Sequence, residues 1–221
     1  MTLTGLAQQL IHLFAALLLL LAFAMLAQRR ILSLINLYTM QGAVLAATAA
    51  AMGYATRQPH LYVSALVTAA IKVGVIPYFL HRVTARLNVR WDVETLINIP
   101  TTLILGIVLV IFAFDLAQPI AELSSTIARG TLGIALACVL LSLMMMITRS
   151  KAVPQVIGFL AMENGLFFAA TAATYGMPMV VELGIALDVL IGMVILGVFL
   201  FQIRQQFDSL DIRHLERLKD Q

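Results

Sequence analysis

The stretch VPQVIGFLAMENGLFFAATAAT, from Val153 to Thr174, reads as a membrane-spanning helix with an acid at its centre. Glu163 stands midway along it, in Ala161-Met162-Glu163-Asn164-Gly165, with apolar or small residues on both sides. The next apolar run, Met179 to Phe201, carries Asp188 at a similar depth. An acid at the bilayer centre costs about 2.5–3.5 kcal/mol on insertion scales. Two such acids in consecutive spans point to a polar site inside a helix bundle.

Composition agrees with that reading. The chain has 221 residues, 62% hydrophobic and 11% charged, against about 25% charged in a soluble domain. At about 20 residues per span the length holds at most about eight or nine helices and no large soluble domain. The single cysteine, Cys138, lies in an apolar run. It supports neither an internal disulfide nor an iron–sulfur cluster. The first apolar run, Leu6 to Leu26, is too long for a signal-peptide core and has no basic region before it, so it reads as a retained helix.

Seven spans follow in order. The first runs from Leu6 to Ala27, the second from Ile31 to Tyr54, and the third from Leu61 to about Leu80. The fourth runs from about Pro100 to Phe114, followed by a polar loop with Asp115, Glu122 and Arg129. The fifth covers Thr131 to Ile147, the sixth Val153 to Thr174, and the seventh Met179 to Phe201. A basic tail, residues 204–221, closes the chain. Under this count Arg29, Arg30, Arg82, Arg86, Arg90, Arg149, Lys151, Arg204, Arg213, Arg217 and Lys219 share one side, against Arg57 and Arg129 on the other. The positive-inside rule then places the N-terminus outside and the C-terminus in the cytoplasm.

The chain also repeats itself. Met40-Gln41-Gly42 and Ala46-Ala47-Thr48-Ala49-Ala50 in span two answer Met162-Glu163-Asn164 and Ala169-Ala170-Thr171-Ala172-Ala173 in span six. Lys72 in span three stands where Asp188 stands in span seven. The expected fold is therefore all-α and polytopic, with two parallel three-helix repeats joined by a linker helix. The units are 1–90, a linker at 91–128, a second repeat at 129–203 and the tail at 204–221.

The intramembrane polar residues are the candidate site. Burial raises a carboxylate's pKa, which can bring Glu163 into the range where it loads and releases protons. Gly165 beside it admits a neighbouring helix. Asp188 has Gly184 and Gly192 on its face, and Glu182 lies nearer the outer end. The competing role for these acids is helix packing. Lys72 shares a face with Ser64 and Thr68 and lies too deep to snorkel easily. Its expected partner is an acid of span six or seven, or of another subunit. Pro77 cannot hydrogen-bond the carbonyl of Val73 and is expected to kink the span. The four histidines fall at or near span ends, and Met144-Met145-Met146 reads as packing surface. No CxxC, phosphate-binding loop or dinucleotide fingerprint is present, so no redox centre or nucleotide hydrolysis is expected in this chain.

The pattern Gly158-Phe159-Leu160-Ala161-Met162-Glu163-Asn164-Gly165 resembles the membrane subunits called hydrogenase-4 component E. The likeness continues through Val181-Glu182-Leu183-Gly184-Ile185-Ala186-Leu187-Asp188, the charged tail, and the Ser64-to-Pro77 segment. The last three spans are also similar to the small K subunit of respiratory complex I, in which two consecutive spans carry central glutamates on the proton path. Glu163 matches the first and Asp188 replaces the second, whereas the first repeat departs, with Gln41 and Lys72 at those positions. The resemblance implies a subunit in the membrane arm of a group 4 [NiFe]-hydrogenase or formate hydrogenlyase-like complex, in a bacterial or archaeal cytoplasmic (inner) membrane. It implies proton or charge transfer through Glu163, Asp188, Lys72 and Glu182. Implied partners are antiporter-like and H-like membrane subunits and a peripheral arm with the nickel–iron site and iron–sulfur subunits. The chain itself would hold no cofactor or metal and bind no nucleic acid. Alternatives are a multisubunit cation/proton antiporter component, a purely structural membrane subunit, or a membrane protein attached to a different oxidoreductase.

Overall fold

A computed structural model describes residues 3–86, 95–122 and 126–174. Those residues form α1 (Leu3–Ala27), α2 (Ile31–Thr56), α3 (His60–Ala69), a π-helical segment (Ala70–Val75), α4 (Ile76–Arg86), α5 (Ile99–Glu122), α6 (Thr126–Thr148) and α7 (Ala152–Thr174). The segment α3–π–α4 is continuous. Six helices among the described residues are long and apolar enough to cross a membrane. The expected seventh span, with Glu182, Gly184, Asp188 and Gly192, and the basic tail lie outside the described residues.

Helix is the only open-ended structure that satisfies every backbone group within one segment in a lipid core. Buried hydroxyls follow the same rule by bonding inside their own helix. Thr48 Oγ1 donates to the Val44 carbonyl at 2.8 Å, and Thr171 Oγ1 donates to the Phe167 carbonyl at 2.8 Å. Thr84 and Thr148 make the same bond to Leu80 and Met144.

Several helices outrun their apolar runs. α4 continues through His81, Arg82 and Arg86, which the sequence reading places after the third span. His81 Nδ1 pairs with the Pro77 carbonyl at 2.8 Å, and Arg82 donates to the Tyr78 hydroxyl at 2.9 Å, so polar side chains are satisfied on the helix itself. α5 likewise continues through Asp115 and Pro119 into the expected loop. Asp115 is exposed there, so it does not oppose the helix. α2 stops at Arg57, which adopts φ 55°, and the N–H groups of Arg57 and Gln58 both reach the Gly53 carbonyl. This is a left-handed helix stop on a residue other than glycine.

α6 packs on α7 and α5, α1 on α2 and α6, and α2 on both α3 and α7. One apolar core runs through Ala22, Met25, Leu34, Tyr38, Leu45, Met144, Met145, Leu160 and Phe168. α5 is the peripheral helix, with Ile104, Ile107 and Ile111 facing outward. Gly165 sits where α7 meets α6. A Cβ there would lie 3.0 Å from Val139 Cγ2 and 3.2 Å from its backbone nitrogen. The helices therefore approach at backbone distance beside Glu163.

Candidate functional site

The site is built on an irregularity in the third span. From Ala70 to Val75 the backbone widens to a π turn, and the Ile76 N–H reaches five residues back to the Ile71 carbonyl. Pro77 follows directly. Having no N–H, it cannot make the regular bond to Val73, and the wide turn takes up the mismatch. Lys72 lies within this turn and is 4% exposed.

α2 meets the same turn through Gly42. A Cβ on Gly42 would stand 2.9 Å from Lys72 Cβ and 3.2 Å from the Lys72 carbonyl oxygen. α7 supplies the charge. The Lys72 ammonium forms an ion pair with Glu163 Oε2 and donates to Asn164 Oδ1 at 2.6 Å. It also lies 5.5 Å from the centroid of the Phe167 ring, one turn along α7, in cation–π range. Asn164 Nδ2 then donates to Gln41 Oε1 on α2 at 3.1 Å. Glu163, Asn164, Lys72 and Gln41 thus tie α2, the π turn and α7 together.

Depth makes this pairing notable. Glu163 is the middle residue of α7, and Lys72 is mid-span in His60–Ala85. Each is about 17 Å along its helix from either end. A lone charge at that depth is costly, and pairing with added hydrogen bonds is how such groups are tolerated. The Glu163 side chain is 12% exposed and that of Lys72 is 5% exposed. Among the described residues, two side-chain atoms of the site have no partner, Glu163 Oε1 and Gln41 Nε2, and the buried Tyr38 Oη on α2 has none either. Ser64 Oγ, two turns before Lys72, is also unpartnered, while Thr68 is buried between them.

A second polar feature lies at the end of the bundle. Arg149, between α6 and α7, is 1% exposed, although a basic residue beyond a span would ordinarily be solvated. Its Nη2 donates to the carbonyls of Leu26 at 2.6 Å and Met25 at 3.3 Å. These are carbonyls of the last turn of α1, where helix carbonyls run out of regular partners; that of Met25 also accepts from the Gln28 N–H at 3.3 Å. Burial lowers the guanidinium pKa to about 10, leaving it charged at neutral pH. The Arg149 backbone pairs with Thr95, which fastens the segment before α5 to the same end.

Of the residues expected at the site, the structure brings Lys72, Glu163, Gly165 and Pro77 into one region. Glu182, Asp188, Gly184 and Gly192 lie outside the described residues. The role of Gln41, which accepts from Asn164, was not legible from the sequence, where it reads as one polar residue in an apolar span.

The chain aligns with the uncharacterized protein Rv0085 of Mycobacterium tuberculosis (strain ATCC 25618 / H37Rv). The two are 34% identical over 209 residues, covering 94% of this chain and 95% of the relative. The chain belongs to the family of that protein. It is more distantly similar to hydrogenase-4 component E of Escherichia coli K12, at 23% identity over 148 residues, 67% of this chain and 68% of the relative. The same component of Shigella flexneri gives the same identity and coverage. No protein-family model matches the chain. No solved structure matches it.

Proposed function

We propose that this chain is an integral membrane subunit of a hydrogenase-4-type, complex I-related redox complex, and that it moves charge or protons through its buried polar site. The observation that carries the reading is the Lys72–Glu163 ion pair at mid-span, held by Asn164. The distant likeness to hydrogenase-4 component E supports membership of a multisubunit membrane complex. On this reading the partners are antiporter-like and H-like membrane subunits and a peripheral [NiFe]-hydrogenase-type arm with iron–sulfur subunits. The redox chemistry belongs to that arm, and this chain carries no cofactor. The formate hydrogenlyase type is one form of such a complex. Asp188 and Glu182 extend the path from Glu163. The chain lies in a bacterial inner membrane with Arg57 outside and Arg149 in the cytoplasm.

Chemically, a paired lysine and carboxylate form a two-state element. With both charged, the pair is neutral and stable. A proton added to Glu163 leaves Lys72 without its counter-charge, so the ammonium is driven toward another acceptor. Proton entry is thereby linked to side-chain movement. The test is Glu163→Gln in the intact complex, in vesicles, with proton uptake measured beside redox turnover on artificial carriers. Glutamine keeps the oxygen that accepts from Lys72 but cannot titrate. The expected result is normal assembly and redox turnover with coupled proton uptake lowered tenfold or more. Wild-type coupling would make the site a structural joint between three helices.

A further inference from the structure

Three groups of α7 converge on the Lys72 ammonium: Glu163 Oε2, Asn164 Oδ1 at 2.6 Å, and the Phe167 ring, whose centroid is 5.5 Å away. Carboxylate and amide oxygens are the ligands that hard cations take. An aromatic face adds attraction for any cation placed over it. An ammonium only donates, so Asn164 must present Oδ1 to it. Asn164 Nδ2 then donates to Gln41 Oε1 at 3.1 Å, and this bond to α2 keeps the amide oxygen turned toward the charge. Lys72, Gln41, Asn164 and Phe167 are all buried, so the arrangement is closed.

Glu163 is the one acid at mid-span among the described residues, so the seat offers one negative charge and suits a cation of charge +1. Among the described residues no group of three or more His, Cys, Asp or Glu side chains could hold a metal ion. Lys72 fills the seat from a backbone that cannot retreat, because Gly42 of α2 stands against its Cβ and its carbonyl. A tethered partner competes at a high effective concentration, whatever the salt outside.

We propose that Lys72 is the resident occupant of a monovalent-cation seat formed by Glu163, Asn164 and Phe167, and that by filling it Lys72 bars sodium and potassium ions and leaves the proton as the ion exchanged here. This rests on the reading of Glu163 as a proton-exchange site. A proton needs no coordination shell. It forms one O–H bond on the Glu163 carboxylate, whose Oε1 has no partner among the described residues, and no other covalent bond changes. A sodium or potassium ion needs several oxygens at once, and Glu163 Oε2 and Asn164 Oδ1 are already taken by Lys72. When the ammonium moves off after the proton arrives, the acid it leaves is neutral and no longer attracts an alkali ion.

The test uses the intact complex, in native-lipid vesicles for coupling and in detergent for stability. In the wild type, coupled proton uptake should be the same in choline, sodium and potassium chloride at equal ionic strength. The Glu163 carboxylate band in infrared spectra, identified by its loss in Glu163→Gln, should not move between these salts. A change in uptake of twofold or more, or a band that moves with sodium or potassium, overturns the proposal without any Lys72 variant having to fold. Lys72→Ala empties the seat but keeps the Cβ that Gly42 packs against. Relative to wild type, its unfolding temperature should rise by several degrees when choline is replaced by sodium, potassium or propylammonium. Assembly of this variant only in the presence of those ions is the same result. Lys72→Ala/Glu163→Gln, which lacks the charge of the seat, should show no such rise. Failure of all three ions to rescue Lys72→Ala overturns the proposal. Sodium- or potassium-dependent coupling in the wild type, with Glu163→Gln uncoupled, overturns the barrier and leaves the function of Glu163 standing. Wild-type coupling in Glu163→Gln overturns the reading of Glu163 itself, and the ion choice with it.

Discussion

Gly42 and Lys72 meet at backbone distance: a Cβ on Gly42 would lie 2.9 Å from Lys72 Cβ. Real Cβ atoms do not approach so closely, so Gly42→Ala must push α2 away from the π turn. Overpacking of this kind costs about 1–3 kcal/mol. It also shifts Lys72 relative to Glu163 and Asn164. Gly74 is the internal control, because a Cβ there meets nothing within 4 Å. Thermal unfolding in detergent should show Gly42→Ala destabilised and Gly74→Ala unchanged or stabilised, by up to about 1 kcal/mol. Equal behaviour of the two variants would show that the α2 contact does not constrain Lys72.

The ion pair itself is open to a double-mutant cycle. Lys72→Leu leaves Glu163 buried without its counter-charge, and Glu163→Leu does the same to Lys72. Breaking a buried pair from one side costs about 3–5 kcal/mol, whereas replacing both partners by apolar groups is often close to neutral. The double variant Lys72→Leu/Glu163→Leu should therefore be more stable than either single variant, so the coupling energy should exceed the loss from one single variant, about 3–5 kcal/mol. Lys72→Arg keeps the charge and should be the mildest change at this position. Its stability is expected between those of wild type and Lys72→Leu. Additive losses in the cycle would mean that the two residues do not act as a pair.

Arg149 and Arg29 lie near the same end of the bundle but differ in consequence. Arg149 is buried on the Met25 and Leu26 carbonyls, while Arg29 is exposed. Arg149→Met strips these carbonyls of a charged donor, a loss of about 1.5–3 kcal/mol. Arg29→Met should stay within about 0.5 kcal/mol. Unfolding curves of the two variants in one detergent decide this. Equal and small effects would show that α1 finds another partner for its last turn.

Membrane class, helical fold and the depth of Glu163 and Lys72 were legible in the chain itself. A lipid core permits long apolar helices and little else, and an acid or lysine in the middle of such a helix is visible at once. The likeness to hydrogenase-4 component E was also carried by local sequence around Met162-Glu163-Asn164-Gly165, and the alignment with that protein is in keeping with it. Helix ends were less legible. α4 and α5 run on through charged residues because exposed polar side chains at a membrane surface do not oppose helix.

Only tertiary structure decided who pairs with whom. Lys72 and Glu163 are separated by 91 residues, and nothing local in either span states that they meet. The meeting depends on the π turn before Pro77, on Gly42 admitting the turn, and on α2 lying against α7. The same holds for Arg149, whose sequence reads as a solvated loop cation until α1 ends against it. Sequence by itself fixed which groups are expensive to bury in lipid, because that cost belongs to each residue. The fold alone decided how the cost is met, because partners for those groups come from helices far apart in the chain.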